Sequence, residues 1–165
     1  MEEARTLAKS LGMGDPLARK LRHCFCSPPN PFFLACVFGL SEVVERSSVS
    51  ITDSSESGLG GLHLASMYGH EKVVQILLGK GAGADSKDTY GRTPLFYAAE
   101  NGHSKVVKVL LDHDKDIEIS AEILATAASV SRRQVNQEEN VLAILLSRDG
   151  EIQISPDVMW QAVSK

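Results

Sequence analysis

The chain writes nearly the same line twice, and that limits its fold more than any other feature. "GLGGLHLASMYGH" runs from Gly58 to His70, and "GRTPLFYAAENGH" runs from Gly91 to His103, 33 positions later. At that offset Leu62 falls on Leu95, Ala65 on Ala98 and Gly69-His70 on Gly102-His103. Val73-Val74 falls on Val106-Val107, and Leu77-Leu78 on Leu110-Leu111. A fixed period of this size marks a stack of small units, each burying its apolar face only against its neighbours. Composition agrees where it bears on packing. Hydrophobic residues make up 43% of the chain but aromatics only 5%, so the core is expected to be repetitive Ala, Val and Leu.

The unit reads as a helix pair. Thr93-Pro94 is a helix start: a hydroxyl cap, then Pro at the first turn, where its missing N–H is harmless. The helix runs through Leu95, Ala98 and Ala99, whose small side chains let helices approach, and Gly102 ends it. Val106, Val107, Leu110 and Leu111 then form one apolar stripe on a second helix, with Lys105, Lys108 and Asp112 facing water. In the upstream unit Gly79, Gly81 and Gly83 break the second helix, and "DSKDTYG" makes a polar turn into the next start.

These residues resemble the ankyrin repeat. "DTYGRTPLFYAAENGHSKVVKVLL", Asp88 to Leu111, follows the family pattern D-x-x-G-x-T-P-L-H-x-A-A-x-x-G-H…V-V…L-L almost position by position. The resemblance implies an all-α solenoid: stacked antiparallel helix pairs, each with a short β-hairpin-like finger. Two departures stand out. Family members often join the Thr and His of T-P-L-H by a side-chain hydrogen bond. The upstream unit keeps His63 but has Gly60-Gly61, and the downstream unit keeps Thr93-Pro94 but has Phe96. Neither can make that bond, which implies a loss of about 1 kcal/mol in each.

Residues 28–118 are expected to hold the repeats: a degenerate unit at 28–57 and good ones at 58–90 and 91–118. In the first, "NPFFLACVFGLSEVVE" aligns with the second at an offset of 30, but its Leu-Leu is missing and a Ser-rich stretch follows. It is either a poor N-terminal cap or a unit that has lost its neighbour. Residues 1–27 are expected to be helical or disordered. Ala4, Leu7, Ala8 and Leu11 have helical spacing, while Glu2, Glu3 and Asp15 argue against a mitochondrial presequence.

Residues 119–165 carry a second echo, "EISAEILATAAS" against "QISPDVMWQAVS", 35 positions apart. Ser120 and Ser155 are expected N-caps, and "ENVLAILLSRDG" is a helix with Val141, Leu142, Leu145 and Leu146 as its stripe. These divergent helix pairs resemble those that follow ankyrin arrays in fungal NACHT–ankyrin signalling NTPases. The chain has no G-x-x-x-x-G-K-[ST], so the resemblance implies a sensor array without its ATPase.

No constellation supports an enzyme. "HCFC", His23 to Cys26, lacks the C-x₂₋₄-C spacing and the roughly four ligands of a structural zinc site. His63, His70 and His103 recur because the units recur, with no nucleophile or carboxylate at fixed spacing. "DHDKDIE" lacks the calcium-loop pattern, and "GKGAG" follows a helix rather than the strand a phosphate loop needs. No metal and no cofactor are expected. The formal charge of −4 argues against nucleic acid or anionic lipid as partner. No run approaches the ~18 apolar residues of a membrane span. Three cysteines, Cys24, Cys26 and Cys36, read as reduced thiols in an intracellular protein, cytoplasmic or nuclear.

The expected function is protein binding by a monomer, through finger tips and the exposed side of the first helices. By resemblance the partner-binding residues are Thr89, Tyr90, Arg92, Tyr97, Glu100 and Asn101 in the downstream unit. In the upstream unit they are Leu59, Leu64, Met67 and Tyr68. Tyr, Met and Arg suit interface anchors. The competing role for Met67, Tyr68 and Tyr97 is packing between units.

Overall fold

The computed structural model describes residues 31–47, 58–131 and 140–148. Among them are four helix pairs: α1 (Pro31–Phe38) with α2 (Ser41–Arg46), α3 (Gly61–Met67) with α4 (Glu71–Gly79), α5 (Pro94–Glu100) with α6 (Ser104–His113), and α7 (Ala121–Ser131) with α8 (Val141–Arg148). The first helices α1, α3, α5 and α7 pack side by side in chain order, and α2, α4, α6 and α8 form a parallel second layer. The core lies between the layers and between successive pairs. Its largest members, Leu64, Leu77, Leu95, Leu110 and Leu145, are fully buried.

Local sequence explains the starts of α5 and α7 and the buried stripe of α6. Thr93 Oγ1 accepts from Phe96 N–H at 3.3 Å, and Pro94 opens α5, as the Thr-Pro pair predicts. Val106, Val107, Leu110 and Leu111 are all buried on α6. Ser120 Oγ accepts from Ile123 N–H at 3.4 Å and caps α7. On α8 the stripe is narrower than expected: Val141 and Leu145 are buried, Leu142 is half-buried and Leu146 is exposed. Those two buried positions, four residues apart, are one edge of the four-residue stripe. Ser155 and Pro156, with Cys24 and Cys26, lie outside the described residues.

Successive pairs are joined by an interlock that the repeated Gly-His spells out. Gly39 and Gly69 both have positive φ, +69° and +76°, which an L side chain rarely adopts. They are also tightly covered. A Cβ on Gly39 would lie 2.5 Å from His70 Nδ1, and one on Gly69 would lie 2.6 Å from His103 Nδ1. Each imidazole then donates from Nε2 to a carbonyl of the preceding pair: His70 to Val37 at 2.7 Å, His103 to Met67 at 3.1 Å. The histidines thus bond backbone, as expected of a structural role, but the backbone belongs to the neighbouring unit.

The departures from the repeat pattern have local substitutes. Gly60 N–H donates to His63 Nδ1 at 3.1 Å, and His63 Nε2–H donates to Ser86 O at 3.0 Å. His63 is therefore satisfied without a threonine, and the expected loss is offset. Burial pulls its pKa below the ordinary 6.5, and the hydrogen bond to Ser86 opposes that only in part. Gly61 replaces proline where the Phe32 ring arrives: a Cβ there would meet Phe32 Cε1 at 2.8 Å and Cys36 Sγ at 3.0 Å. Burial pushes the Cys36 thiol up to about 12, so it is an inert core group.

The shortened α2 has a support that its sequence hides. Lys80, at the end of α4, donates from Nζ to the carbonyls of Val44 (3.0 Å), Glu45 (2.8 Å) and Ser47 (3.0 Å). The ammonium group satisfies carbonyls at the last turn of α2 and sits at the negative end of that helix. The lysine of "GKGAG" is a helix C-cap for the preceding unit.

Candidate partner-binding surface

The finger of the third pair is built on Asp88. Asp88 N–H donates to Arg92 O at 3.0 Å and Gly91 N–H to Asp88 O at 3.0 Å, which closes the loop. Asp88 Oδ1 accepts from the backbone N–H of Tyr90 (2.8 Å) and Arg92 (2.9 Å), and Oδ2 accepts from the Tyr97 hydroxyl (2.6 Å). Burial disfavours the ionised carboxyl, but the donors from Tyr97, Arg92 and Tyr90 outweigh it and hold its pKa below the ordinary value. Tyr97 is affected the other way: burial, then its hydrogen bond to Asp88, raises its phenol. Asp88, the first residue of the pattern, is a buried carboxylate that organises the loop.

That base carries an exposed tip. Thr89 and Tyr90 are exposed, Tyr90 by 77%. The Arg92 guanidinium lies between two rings, 4.9 Å from the centroid of Phe96 and 5.7 Å from that of Tyr90. Phe96 thus serves, in place of the family's histidine, as the floor on which Arg92 rests. Phe96 also meets Tyr97 edge-on, with centroids 5.7 Å apart.

Of the expected binding residues, the structure brings Thr89, Tyr90 and Arg92 together on the finger. Glu100 is exposed at the end of α5 and Asn101 is half-buried, its Nδ2 donating to Tyr97 O at 2.9 Å. Met67 and Tyr68 are half-buried at the end of α3 and pack on the core, and the Tyr68 ring stacks on His70. Leu64 is fully buried, and Leu59 and Tyr97 are only 7% and 6% exposed. These three offer no surface to a partner. Leu64 is part of the buried core, and Tyr97 is committed to Asp88. For Tyr97 the packing role wins.

Beside the finger lies a shallow groove that the repeat pattern did not reveal. Asp85, Lys87, Arg92 and Phe96 line one side, and Glu118 and Glu122 the other. It exists because the fourth pair begins α7 directly after "IEIS", without the Asp and Gly of a finger turn. Lys87 Nζ and Glu118 face each other across it at 4.0 Å, both well exposed, so the pair contributes little to stability. Among the described residues no group of three or more His, Cys, Asp or Glu side chains could hold a metal ion. No described helix is long and apolar enough to cross a membrane.

Comparison with known proteins agrees with this geometry. The family described as "Ankyrin repeats (3 copies)" matches residues 32–122, more than half of the chain. The chain belongs to the ankyrin-repeat family. It is 32% identical over 96 residues to the B-cell lymphoma 3 protein homolog of Mus musculus, 58% of this chain and 21% of that protein. It is 38% identical over 89 residues to the transient receptor potential cation channel subfamily A member 1 of Homo sapiens, covering 50% of this chain and 8% of the channel. The chain therefore matches only a small part of these larger proteins. The crystal structure of the human ASB11 ankyrin repeat domain superposes with a TM-score of 0.63 at 23% identity. That match covers 74% of this chain and 56% of the other, and it shows the shared fold.

Proposed function

We propose that the chain is a non-catalytic protein-binding module whose contact surface is the finger Thr89, Tyr90 and Arg92. Met67, Tyr68, Glu100 and Asn101 extend that surface along the ends of α3 and α5. Ankyrin repeats are generally protein–protein interaction modules, and the family membership supports the class of function. One observation carries the site: Tyr90 is 77% exposed on a loop whose base is fixed by three hydrogen bonds to Asp88. A large ring held out on a pre-ordered base loses little conformational entropy on binding. The partner is a protein, met by a monomer in the cytoplasm or nucleus. In this reading the repeats occupy 28–118 and divergent pairs continue through 119–165.

A second reading makes the same stack the sensor of a separate NACHT-type ATPase. It is supported by the resemblance of residues 119–165 and by the packing of α7 and α8 onto the third pair. Affinity capture from native extract separates the two. The wild-type chain and a Tyr90→Ala/Arg92→Ala variant serve as baits, with mass spectrometry as readout. The finger reading expects a partner whose binding falls at least about tenfold in the variant, with Tm held within about 3 °C. Unchanged capture removes the finger from the interface. A captured NACHT-type ATPase favours the sensor reading.

A further inference from the structure

The finger that carries Tyr90 is held from below by the preceding unit. His63 of α3, only 1% exposed, donates from Nε2 to Ser86 O at 3.0 Å, where the chain enters the finger. Its Nδ1 accepts from Gly60 N–H at 3.1 Å, so both ring nitrogens are used and one neutral tautomer is fixed. The ring stands edge-on to Tyr97, with centroids 6.1 Å apart. Gly58 approaches the same loop closely: a Cβ there would lie 2.9 Å from Thr89 N and 3.1 Å from Asp88 Cα. The sequence pairs this histidine with a finger. Its counterpart Phe96 has no donor, and the helix pair after it begins without a finger turn.

A second proton on this ring has one place to go. Nδ1 takes it, and the ring then meets the Gly60 N–H donor to donor. The surroundings offer one anion. The finger presents Asp88, and Arg92 meets the ring through its backbone. Of the helices packed on α3, α5 brings the phenol of Tyr97, α1 brings Phe32 and Cys36 to the adjacent Gly61, and the buried residues of α4 are Val73, Val74, Leu77 and Leu78. Asp88 is already engaged, by Tyr90 and Arg92 N–H at Oδ1 and by the Tyr97 hydroxyl at Oδ2. An imidazolium can pair with that carboxylate only by displacing donors that close the finger. We propose that His63 is the latch of the finger: protonated, it turns from Gly60 towards Asp88 and releases the loop from Ser86 to Arg92. Acid then dissolves the binding surface, a consequence that, unlike the release itself, rests on the finger being the contact site.

The test uses the full chain and needs no partner. NMR follows the His63 imidazole and amide protection between pH 7 and pH 5, corrected for the pH dependence of intrinsic exchange. The latch predicts that the Tyr90 and Arg92 amides lose protection along the His63 titration, while Leu110 of α6 keeps its own. His63→Gln has an acceptor and a donor but no titrating proton, so its finger should stay protected across the range. The proposal fails if His63 takes up its proton, or stays neutral at pH 5, with Tyr90 and Arg92 still protected. It fails if α6 loses protection equally, because the whole stack then opens. Neither outcome needs a variant. It fails, too, if the glutamine variant releases the finger as the wild type does. Undiminished partner capture at pH 5 with the finger released would instead remove the finger from the contact surface and leave the latch standing.

Discussion

The first and third helix pairs follow one plan and reach different quality. The third has Thr93 as N-cap, a second helix of ten residues and Val106, Val107, Leu110 and Leu111 all buried. The first has a six-residue second helix with Val44 as its buried residue, and it relies on Lys80 from the next pair. In a solenoid each unit's stability is its own contribution plus that of its interfaces. The third pair draws on both, whereas the first depends on its neighbours for cohesion. The strong pair also carries the ordered finger, and the weak pair carries the exposed apolar side chains Leu40 and Val43.

The largest expected effect probes the strong pair. Leu110→Ala should cost about 3 kcal/mol, because it empties a fully buried site between layers; urea unfolding measures it. The comparison breaks if the loss is below about 1 kcal/mol, since the third pair would then not be the stable centre. Next comes the support of the weak pair. Lys80→Ala should cost about 1.5 kcal/mol by freeing the carbonyls at the end of α2. Amide exchange should accelerate in residues 41–47 and stay unchanged in residues 94–113, and equal acceleration in both would contradict the assignment.

A smaller effect has the opposite sign. The Ser66 hydroxyl is fully buried with no hydrogen-bond partner among the described residues, and its counterpart in the third pair is Ala99. Ser66→Ala should therefore raise stability by about 1 kcal/mol, seen as a Tm increase of about 3 °C. The smallest effect is a slope with pH. His63 has a folded pKa below 6.5, so the unfolded chain takes up the proton first as pH falls. Its contribution is complete above 6.5 and is lost as pH drops towards the folded value. Tm should fall between pH 7 and 5, and His63→Phe, the residue type at Phe33 and Phe96, should flatten that slope. An equal slope in the variant would assign the acid sensitivity to other groups.

The period, the helix pairs and the buried stripes were legible because they depend on local rules. Thr93-Pro94, Gly102 and the Val-Val…Leu-Leu spacing act within one unit, where sequence distance and spatial distance coincide. The finger tip was legible for the same reason: Asp88 to Arg92 closes on itself. Tyr97 and Leu64 were misread as surface. Helical spacing gives a residue's direction around one helix but not what the neighbouring helices leave open. Lys80 was unreadable in "GKGAG", since its partners Val44, Glu45 and Ser47 lie more than thirty residues upstream.

The sequence by itself determined that this chain is a stack of helix pairs of the ankyrin kind, because one repeating pattern of caps, glycines and apolar stripes permits little else. Tertiary structure alone decided which repeated positions are covered. Val43 and Val73 are the same residue in the same place in their units, yet Val73 is fully buried and Val43 is 48% exposed. Burial belongs to the interface between units, and the pattern within a unit does not contain it.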